Sequence, residues 1–195
     1  CERVGSDAIG ICHCDGMVVL VPGFLPGETA TVRILKVEKR YAYGRIEALH
    51  TPSPQRVDPP CPIYKRCGGC CFQHVRYETG LDYKRGQVQD LLARVGGQNF
   101  DVPQVLGAAN VWQYRNKGTY PVVSRGGEPV CGFYAPRSHD LVALPPEGCL
   151  IQAESSRQAV SSLLQWMRLF HILPSSCQHT HIASQQGPQV GVETA

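Results

Sequence analysis

No stretch of this 195-residue chain approaches the ~18 consecutive apolar residues of a membrane span, and none resembles the apolar core of a secretory leader. There is no methionine at position 1; Cys1 stands there, so the sequence reads as a fragment or a partial reading frame. Charge of one sign is also scarce in excess: 19 Lys and Arg face 16 Asp and Glu, a formal net of +3. Cysteine is present, at ten residues, but is too thin for a disulfide scaffold and points to a reducing compartment, the cytoplasm, with no membrane partner. One or two domains are expected at this size.

What the chain does have is an uneven distribution of charge and of thiols. Residues 1–60 balance seven cations against seven anions, residues 61–120 hold eight against four, and the remainder four against five. The positive excess surrounds Cys61-Pro-Ile-Tyr-Lys-Arg-Cys67-Gly-Gly-Cys70, a mild sign of a polyanionic partner that a solvated helix face explains equally well. Those three cysteines, with the remote Cys149, have the make-up of a soft metal centre, and Gly68 and Gly69 let the backbone turn tightly while two sulfurs converge. Zinc sites draw four cysteines as two short pairs, whereas an iron–sulfur cluster accepts an asymmetric three-plus-one set. A cluster is therefore expected ahead of zinc or of free structural thiols. Cys71 is adjacent to Cys70 and is left out, because neighbouring residues rarely reach one metal together.

Organisation along the chain is legible from short β-type runs between turns. Met17–Val21, Thr29–Val37 and Arg45-Ile46, punctuated by Pro22-Gly23 and Pro26-Gly27, predict a small β-barrel over 1–58. The proline-dense stretch from Thr51 to Pro60 predicts a linker, with a second domain over 59–170 and a divergent or truncated tail over 171–195. Leu81, Val88, Leu91, Leu92 and Val95 recur at helical spacing before Gly96-Gly97, predicting a helix over 77–95 that Gly80 and Gly86 weaken.

Lys36, Lys39, Arg40 and Arg45 interleave with Tyr41 and Tyr43. Cations for phosphate and aromatic faces for unpaired bases are the combination small barrels use on single-stranded nucleic acid. The plainer reading is an edge strand whose tyrosines pack half in and whose cations guard the edge.

Val21-Pro22-Gly23, Leu25-Pro26-Gly27-Glu28, Lys39-Arg40-Tyr41-Ala42, Arg56-Val57, the cysteine motif and Gln73-His74 occur in one order. Tyr114-Arg115-Asn116-Lys117, Gly132-Phe133-Tyr134-Ala135-Pro136-Arg137-Ser138-His139, and Cys149 with Gln152 follow them. Over about residues 7–155 this resembles the RNA uracil-5-methyltransferase family. The resemblance implies a mixed fold: an OB-fold-like TRAM barrel that grips RNA, then an α+β central domain carrying a [4Fe–4S] cluster on Cys61, Cys67, Cys70 and Cys149. It also implies an S-adenosylmethionine-dependent transferase acting on RNA, ribosomal rather than transfer RNA, from a monomer in the cytoplasm. RNA contacts are expected at Lys36, Lys39, Arg40, Tyr41, Arg115, Lys117, Phe133, Arg137 and His139, although strand alternation leaves at most one of Phe133 and Tyr134 free for a base.

The family's C-terminal Rossmann-like domain, which binds S-adenosylmethionine and supplies the catalytic cysteine and base, has no counterpart in this sequence. None of the glycine-bearing stretches forms a strand–glycine loop–helix unit, and nothing around Cys177 resembles the family's nucleophile motif, so no catalytic residue is assigned. This portion alone is expected to be inactive. Cys177 with His179 and His181, and Cys12 with Cys14 around His13, are weak metal signals; alternate strand residues face opposite sides, so Cys12 and Cys14 read as packing. A zinc-stabilised RNA-binding module is the competing function. A radical methylthiotransferase is disfavoured, because four protein ligands leave no open iron.

Overall fold

The computed structural model describes residues 1–174 together with the backbone of residues 180–184 and 190–194. The chain folds as two compact units: Cys1–Pro59 with Cys71–Gly107, and Pro60–Cys70 with Ala108–Ala195. The proline-dense stretch thus leads out of the first unit at Pro59, and the chain returns to it immediately after Cys70. Among the described residues, no helix is long and apolar enough to cross a membrane.

The first unit is built on a five-stranded sheet. Its strands are β1 (Arg3–Val4), β2 (Ile9–Cys14), β3 (Met17–Pro22), β4 (Thr29–Val37) and β5 (Tyr41–Thr51), in the order β1-β2-β3-β5-β4. Asp15-Gly16 joins β2 to β3 with φ values of +49° and +79°, the two left-handed positions that a two-residue hairpin of matching twist demands. β3 pairs in parallel with β5, which in turn pairs antiparallel with β4. Val19 and Val21 of β3 are buried with Phe24, and Cys12 packs against that cluster while Cys14 stays exposed, as strand alternation requires.

Helix α1 spans Tyr77–Arg94, matching its expected extent. Glu78 in the first turn and Arg94 in the last complement the helix dipole, and Gly97 at φ +62° follows its end. The apolar positions that predicted the helix are not its buried face, however. Val88, Leu91 and Val95 are 46%, 61% and 82% exposed. The helix is held through Gly80, through Tyr83 against the Val4–Ala8–Leu25–Val75 cluster, and by two polar ties to the first strand region. These are Arg3 Nη1 to Asp90 Oδ2 at 2.7 Å and Gln87 Nε2 to the Gly5 carbonyl at 2.7 Å.

Four of the sequence pieces quoted above meet in one buried polar network inside this unit. Glu28, 3% exposed, accepts from the Leu25 amide (2.8 Å), the Ser53 amide (3.1 Å), and Arg56 Nε (2.5 Å) and Nη2 (2.7 Å). Arg56 Nη2 also donates to the Gly23 carbonyl at 2.7 Å, and the Val57 amide donates to the carbonyl of His74 at 3.1 Å. Burial pushes the Glu28 carboxyl up, but the hydrogen bonds from Arg56, Ser53 and Leu25 outweigh it and hold the group below its ordinary range. His74, 4% exposed, is pushed down to about 4 by burial first and by the Arg56 charge second.

Both shifts act in the same direction with pH. An unfolded His74 takes up a proton below about 6.5 while the folded side chain stays neutral until about 4, so acidification through that window favours unfolding. The depressed Glu28 adds to the loss at lower pH, where the unfolded carboxyl protonates before the folded one. Stability of this unit is expected to fall by about 3 kcal/mol between pH 6.5 and 4, on the linkage scale for His74 alone. Urea unfolding followed by the unit's tyrosines at a series of pH values checks this; a flat profile in a His74→Gln variant over pH 4.5–6.5 assigns the slope to the imidazole.

The second unit carries β6 (Gly118–Arg125), β7 (Glu128–Tyr134), β8 (Leu141–Ala143), α2 (Glu154–Leu169), β9 (Thr180–Ser184) and β10 (Val190–Thr194). Its sheet runs β10-β9-β6-β7-β8, antiparallel throughout. Tyr120, Val122 and Cys131 from the sheet bury against Val160 and Met167 of α2, with Leu163 and Leu164 alongside. Val160, Leu163, Leu164 and Met167 form the i, i+3, i+4, i+7 stripe of a helix lying on a sheet. Of the weak tail signals, Cys177 and His179 lie outside the described residues; His181 falls on β9, opposite Pro121 of β6.

Candidate functional site

All four expected metal ligands belong to the second unit, although Cys61, Cys67 and Cys70 precede Cys149 by most of the chain's middle third. The Cys61–Cys70 loop is wound tightly by its own backbone. Tyr64 donates to the Cys61 carbonyl (3.1 Å), and Arg66 and Cys67 both donate to the Ile63 carbonyl (2.9 Å each). The Gly68 amide then donates to the carbonyl of Tyr134 at the end of β7, 3.0 Å away. A Cβ at position 68 would stand 3.0 Å from that same oxygen and 3.3 Å from the Pro136 nitrogen, so a side chain there would crowd the strand end against which the loop lies. Gly69 donates its amide to Cys67 Sγ at 3.4 Å.

Cys149 sits at a turn between β8 and α2. Gly148 precedes it at φ +77°, and the Gln152 amide donates to the Cys149 carbonyl at 3.1 Å. An extended segment lies alongside: Arg115 donates to Ile151 (2.9 Å), and Ala153 donates back to Arg115 (2.8 Å). Burial pushes the Cys149 thiol up; the nearby backbone N–H groups of Ile151 and Gln152 pull it back, and the charge of Cys61 pushes it up further. The Cys67 thiol is likewise raised, first by burial, with the Gly69 amide opposing and the charges of Cys149 and Cys61 adding to the rise.

Cys61, Cys67 and Cys149 therefore lie close enough to feel one another's charge, and the Cys67 sulfur accepts a backbone N–H group. A negatively charged ligand sulfur needs such donors, and a cationic centre would reverse the thiols' reluctance to ionise. Among the described residues, no three His, Cys, Asp or Glu side chains converge as a single metal ion would require. Cys70 is half-buried in the same loop, whereas its neighbour Cys71 belongs to the first unit and packs against Val4, Ala8, Leu25 and Val75.

Two fully enclosed side chains meet around Gly118. Gln152 is 0% exposed, and neither Oε1 nor Nε2 has a hydrogen-bond partner; the Tyr120 hydroxyl, on a ring 1% exposed, has none either. The sequence offered Gln152 only as a motif member and gave no sign of Tyr120.

The expected RNA contacts fall in both units. In the first, Lys36 is exposed on β4 and paired with Glu38 (2.5 Å), while Lys39 and Arg40 are exposed in the β4–β5 turn. Tyr41 and Tyr43 are half-buried and edge-on to each other, ring centroids 5.4 Å apart, which is the half-packed arrangement of an edge strand as well as a graded aromatic surface. Arg45 is exposed opposite Arg33, which pairs with Glu47 at 2.6 Å. In the second unit Arg115, Lys117, Arg137 and His139 are exposed. Phe133 turns inward, its ring 5.1 Å from Tyr120 in the core, and Tyr134 lies edge-on to His139 at 5.6 Å.

Residues 2–46 match the TRAM domain family. A protein of Clostridium tetani described as an uncharacterized RNA methyltransferase is 40% identical over 169 residues, 87% of this chain and 36% of that protein. A Bacillus cereus protein of the same description is 45% identical over 157 residues, 80% of this chain and 34% of its own length. Over 80–87% of its length the chain is similar to these proteins described as RNA methyltransferases. It spans about a third of the length of the curated relatives it matches. The crystal structure of the Pyrococcus abyssi tRNA (uracil-54, C5)-methyltransferase with S-adenosyl-L-homocysteine has the same fold over 97% of this chain and 46% of that one, with a TM-score of 0.63 at 21% identity. In RNA methyltransferase terms, the matched TRAM residues cover β1 to the middle of β5, and the cysteine loop follows them.

Proposed function

We propose that this chain is the RNA-binding and [4Fe–4S]-bearing portion of an S-adenosylmethionine-dependent RNA uracil-C5 methyltransferase, monomeric and cytoplasmic, and that these 195 residues alone bind RNA without methylating it. The observation carrying this reading is the gathering of Cys61, Cys67, Cys70 and Cys149 in one unit from two distant stretches of chain, with the Gly69 amide donating to the Cys67 sulfur at 3.4 Å. Cys61, Cys67, Cys70 and Cys149 would hold the cluster, which supplies a four-point covalent brace between the loop and the turn before α2 rather than redox chemistry. A single zinc needs four sulfurs at about 2.3 Å from one ion. The asymmetric three-plus-one spacing of Cys61, Cys67, Cys70 and Cys149 is what favours the larger inorganic core over zinc.

The chain's own residues then present RNA. Lys39 and Arg40 at the β4–β5 turn neutralise phosphates, and Tyr41 beside them offers a ring to an unpaired base. Arg115, Lys117, Arg137 and His139 extend the cationic set in the second unit. Methyl transfer to C5 calls for a thiolate that adds to uracil C6 and a base that later removes the C5 proton, roles we assign to residues of the whole protein outside this portion. Ribosomal RNA is the favoured substrate, and transfer RNA, named for the Pyrococcus protein, is the alternative.

Anaerobic purification followed by iron, sulfide and zinc analysis tests the metal assignment. About four irons and four sulfides per chain, with absorbance near 400 nm, is the expected result. A colourless protein with one zinc would replace it with a zinc-stabilised RNA-binding module. Binding to ribosomal and transfer RNA fragments across a salt series tests the rest. A Lys39→Ala/Arg40→Ala variant is expected to bind more weakly to both RNAs and to reduce the slope of log K against log salt by about 1.4, the loss of two single-strand phosphate contacts. An unchanged slope would remove these two residues from the interface.

A further inference from the structure

The cations of the second unit divide by what they meet. Arg157 pairs with Glu154, Arg168 with Glu128 at 3.4 Å, and Arg125 donates to the Leu141 carbonyl at 2.6 Å. Lys65 and Arg66, both exposed, have no carboxylate partner among the described residues, and they stand within the cysteine loop, between Cys61 and Cys67. Asp58 precedes them and the next acid along the chain is Glu78, so neighbouring sequence does not balance their charge. The Arg66 and Cys67 amides both bond to the Ile63 carbonyl at 2.9 Å, which holds the backbone that presents these two side chains.

The loop leans on a turn that carries a third cation. The Gly68 amide reaches the Tyr134 carbonyl at 3.0 Å, and a Cβ at position 68 would stand 3.4 Å from Pro136 Cα. The Cα atoms of Arg66 and Arg137 are therefore no more than about 16 Å apart at 3.8 Å per residue. Arg137 is exposed and has φ +57°, a left-handed conformation that a residue with a Cβ adopts at a cost. Three hydrogen bonds hold the turn: the Ala135 amide to the Asp140 carbonyl (2.9 Å), the Ser138 amide to the Ala135 carbonyl (3.2 Å) and the Asp140 amide to Ser138 Oγ (2.9 Å). Glycine would take this position more cheaply, so a guanidinium there has its use in what it meets outside the chain. Asp140, also exposed, is the acid of the same turn.

We propose that Lys65, Arg66 and Arg137 form one phosphate-binding ridge, so that an RNA backbone runs over the cysteine loop and the β7–β8 turn together. The ridge rests on the RNA-binding reading above and extends it to two residues of the loop. Guanidinium groups take phosphate oxygens bidentately and an ammonium adds a point charge, contacts that position a strand without reading its sequence. RNA affinity is thereby tied to the fold of the cysteine loop, although no cysteine touches RNA.

The test titrates a fluorescent single-stranded RNA oligomer of mixed sequence across a salt series with the full 195-residue chain, purified without oxygen. Wild type is compared with Lys65→Ala/Arg66→Ala, with the charge-preserving Lys65→Arg/Arg66→Lys, and with Arg137→Gly. Each single-strand phosphate contact contributes about 0.7 to the slope of log K against log salt, so the alanine pair is expected to lower it by about 1.4 and Arg137→Gly by about 0.7. The charge-preserving pair should keep the wild-type slope. Arg137→Gly is also expected to resist urea no less than wild type, and weaker binding on an equally stable fold is the mark of strain kept for a ligand. The alanine pair lies at exposed positions and decides the matter if Arg137→Gly disturbs the turn. Unchanged slopes in both variants, with Lys39→Ala/Arg40→Ala still lowering it, would overturn the ridge and leave the RNA-binding reading standing. A wild-type chain that does not bind the oligomer would end both. Iron, sulfide and zinc are counted in each protein: an alanine pair that loses metal held by wild type would assign the loop cations to balancing thiolate charge and overturn the ridge.

Discussion

A Glu28→Ala variant should lose about 3–5 kcal/mol of stability, the usual cost of removing one partner from a buried ion pair. The carboxylate is wholly enclosed, with a side-chain exposure of 0%, and its departure strands three donors at once: the Arg56 guanidinium and the amides of Leu25 and Ser53. A loss of this size is a large fraction of what holds a small domain together, so the sheet that carries the TRAM match should be largely unfolded at 37 °C. Chemical denaturation followed by the tyrosine signal reads the effect. Glu28→Gln keeps an acceptor for one amide and should fall between wild type and alanine. If alanine costs less than about 1 kcal/mol, the network is a surface-grade ion pair and the buried geometry is wrong.

Cys67→Ser should abolish cluster loading, with iron per chain dropping from about four to below one and RNA binding and solubility falling with it. The adjacent pair at the unit boundary sharpens the test. Cys70→Ser should behave like Cys67→Ser, because residue 70 belongs with Cys61, Cys67 and Cys149, whereas Cys71→Ser should keep its iron, because residue 71 packs in the apolar cluster of the other unit. Metal analysis of the three purified variants is sufficient. Iron lost on replacing Cys71 and retained on replacing Cys70 would reverse the ligand assignment. A Cys67→Ser protein that binds RNA normally would show that the cluster does not brace the RNA-binding structure.

Local sequence signals carried much of the fold and rather less of the site. The β-type runs at Met17–Val21 and Thr29–Val37 and the helix over 77–95 emerge nearly at their true bounds, because hydrophobic pattern and turn residues act over a few positions. Asp15-Gly16 is a two-residue hairpin signal of the same local kind, and so is the Val160–Met167 stripe of α2; both were available in the sequence. What no local pattern carries is which stretches meet. Glu28, Arg56 and His74 are separate motif fragments in the sequence, and only the fold reveals that they form one buried network. The return of residues 71–107 to the first unit is equally non-local, and the exposure of Val88, Leu91 and Val95 follows from it: α1 is anchored by Tyr83, Arg3–Asp90 and Gln87 instead of by its most apolar stripe. In the candidate metal site the cysteine spacing was readable, but the enclosure of Tyr120 and Gln152 around Gly118 was not, because it depends on which distant stretches of chain meet.

The interleaving of the two units also fixes an order of events during synthesis. Every residue of the first unit, up to Gly107, leaves the ribosome before any part of the 108–195 stretch that completes the second. The first unit can therefore close while the Cys61–Cys70 loop hangs from it as an unfinished segment, waiting for Cys149 to be made. At ribosomal rates of about 5–20 residues per second the interval lasts several seconds. For that period the thiols of Cys61, Cys67 and Cys70 lie close together along a chain that is otherwise partly folded, open to oxidants and to stray metal ions before Cys149 can join them.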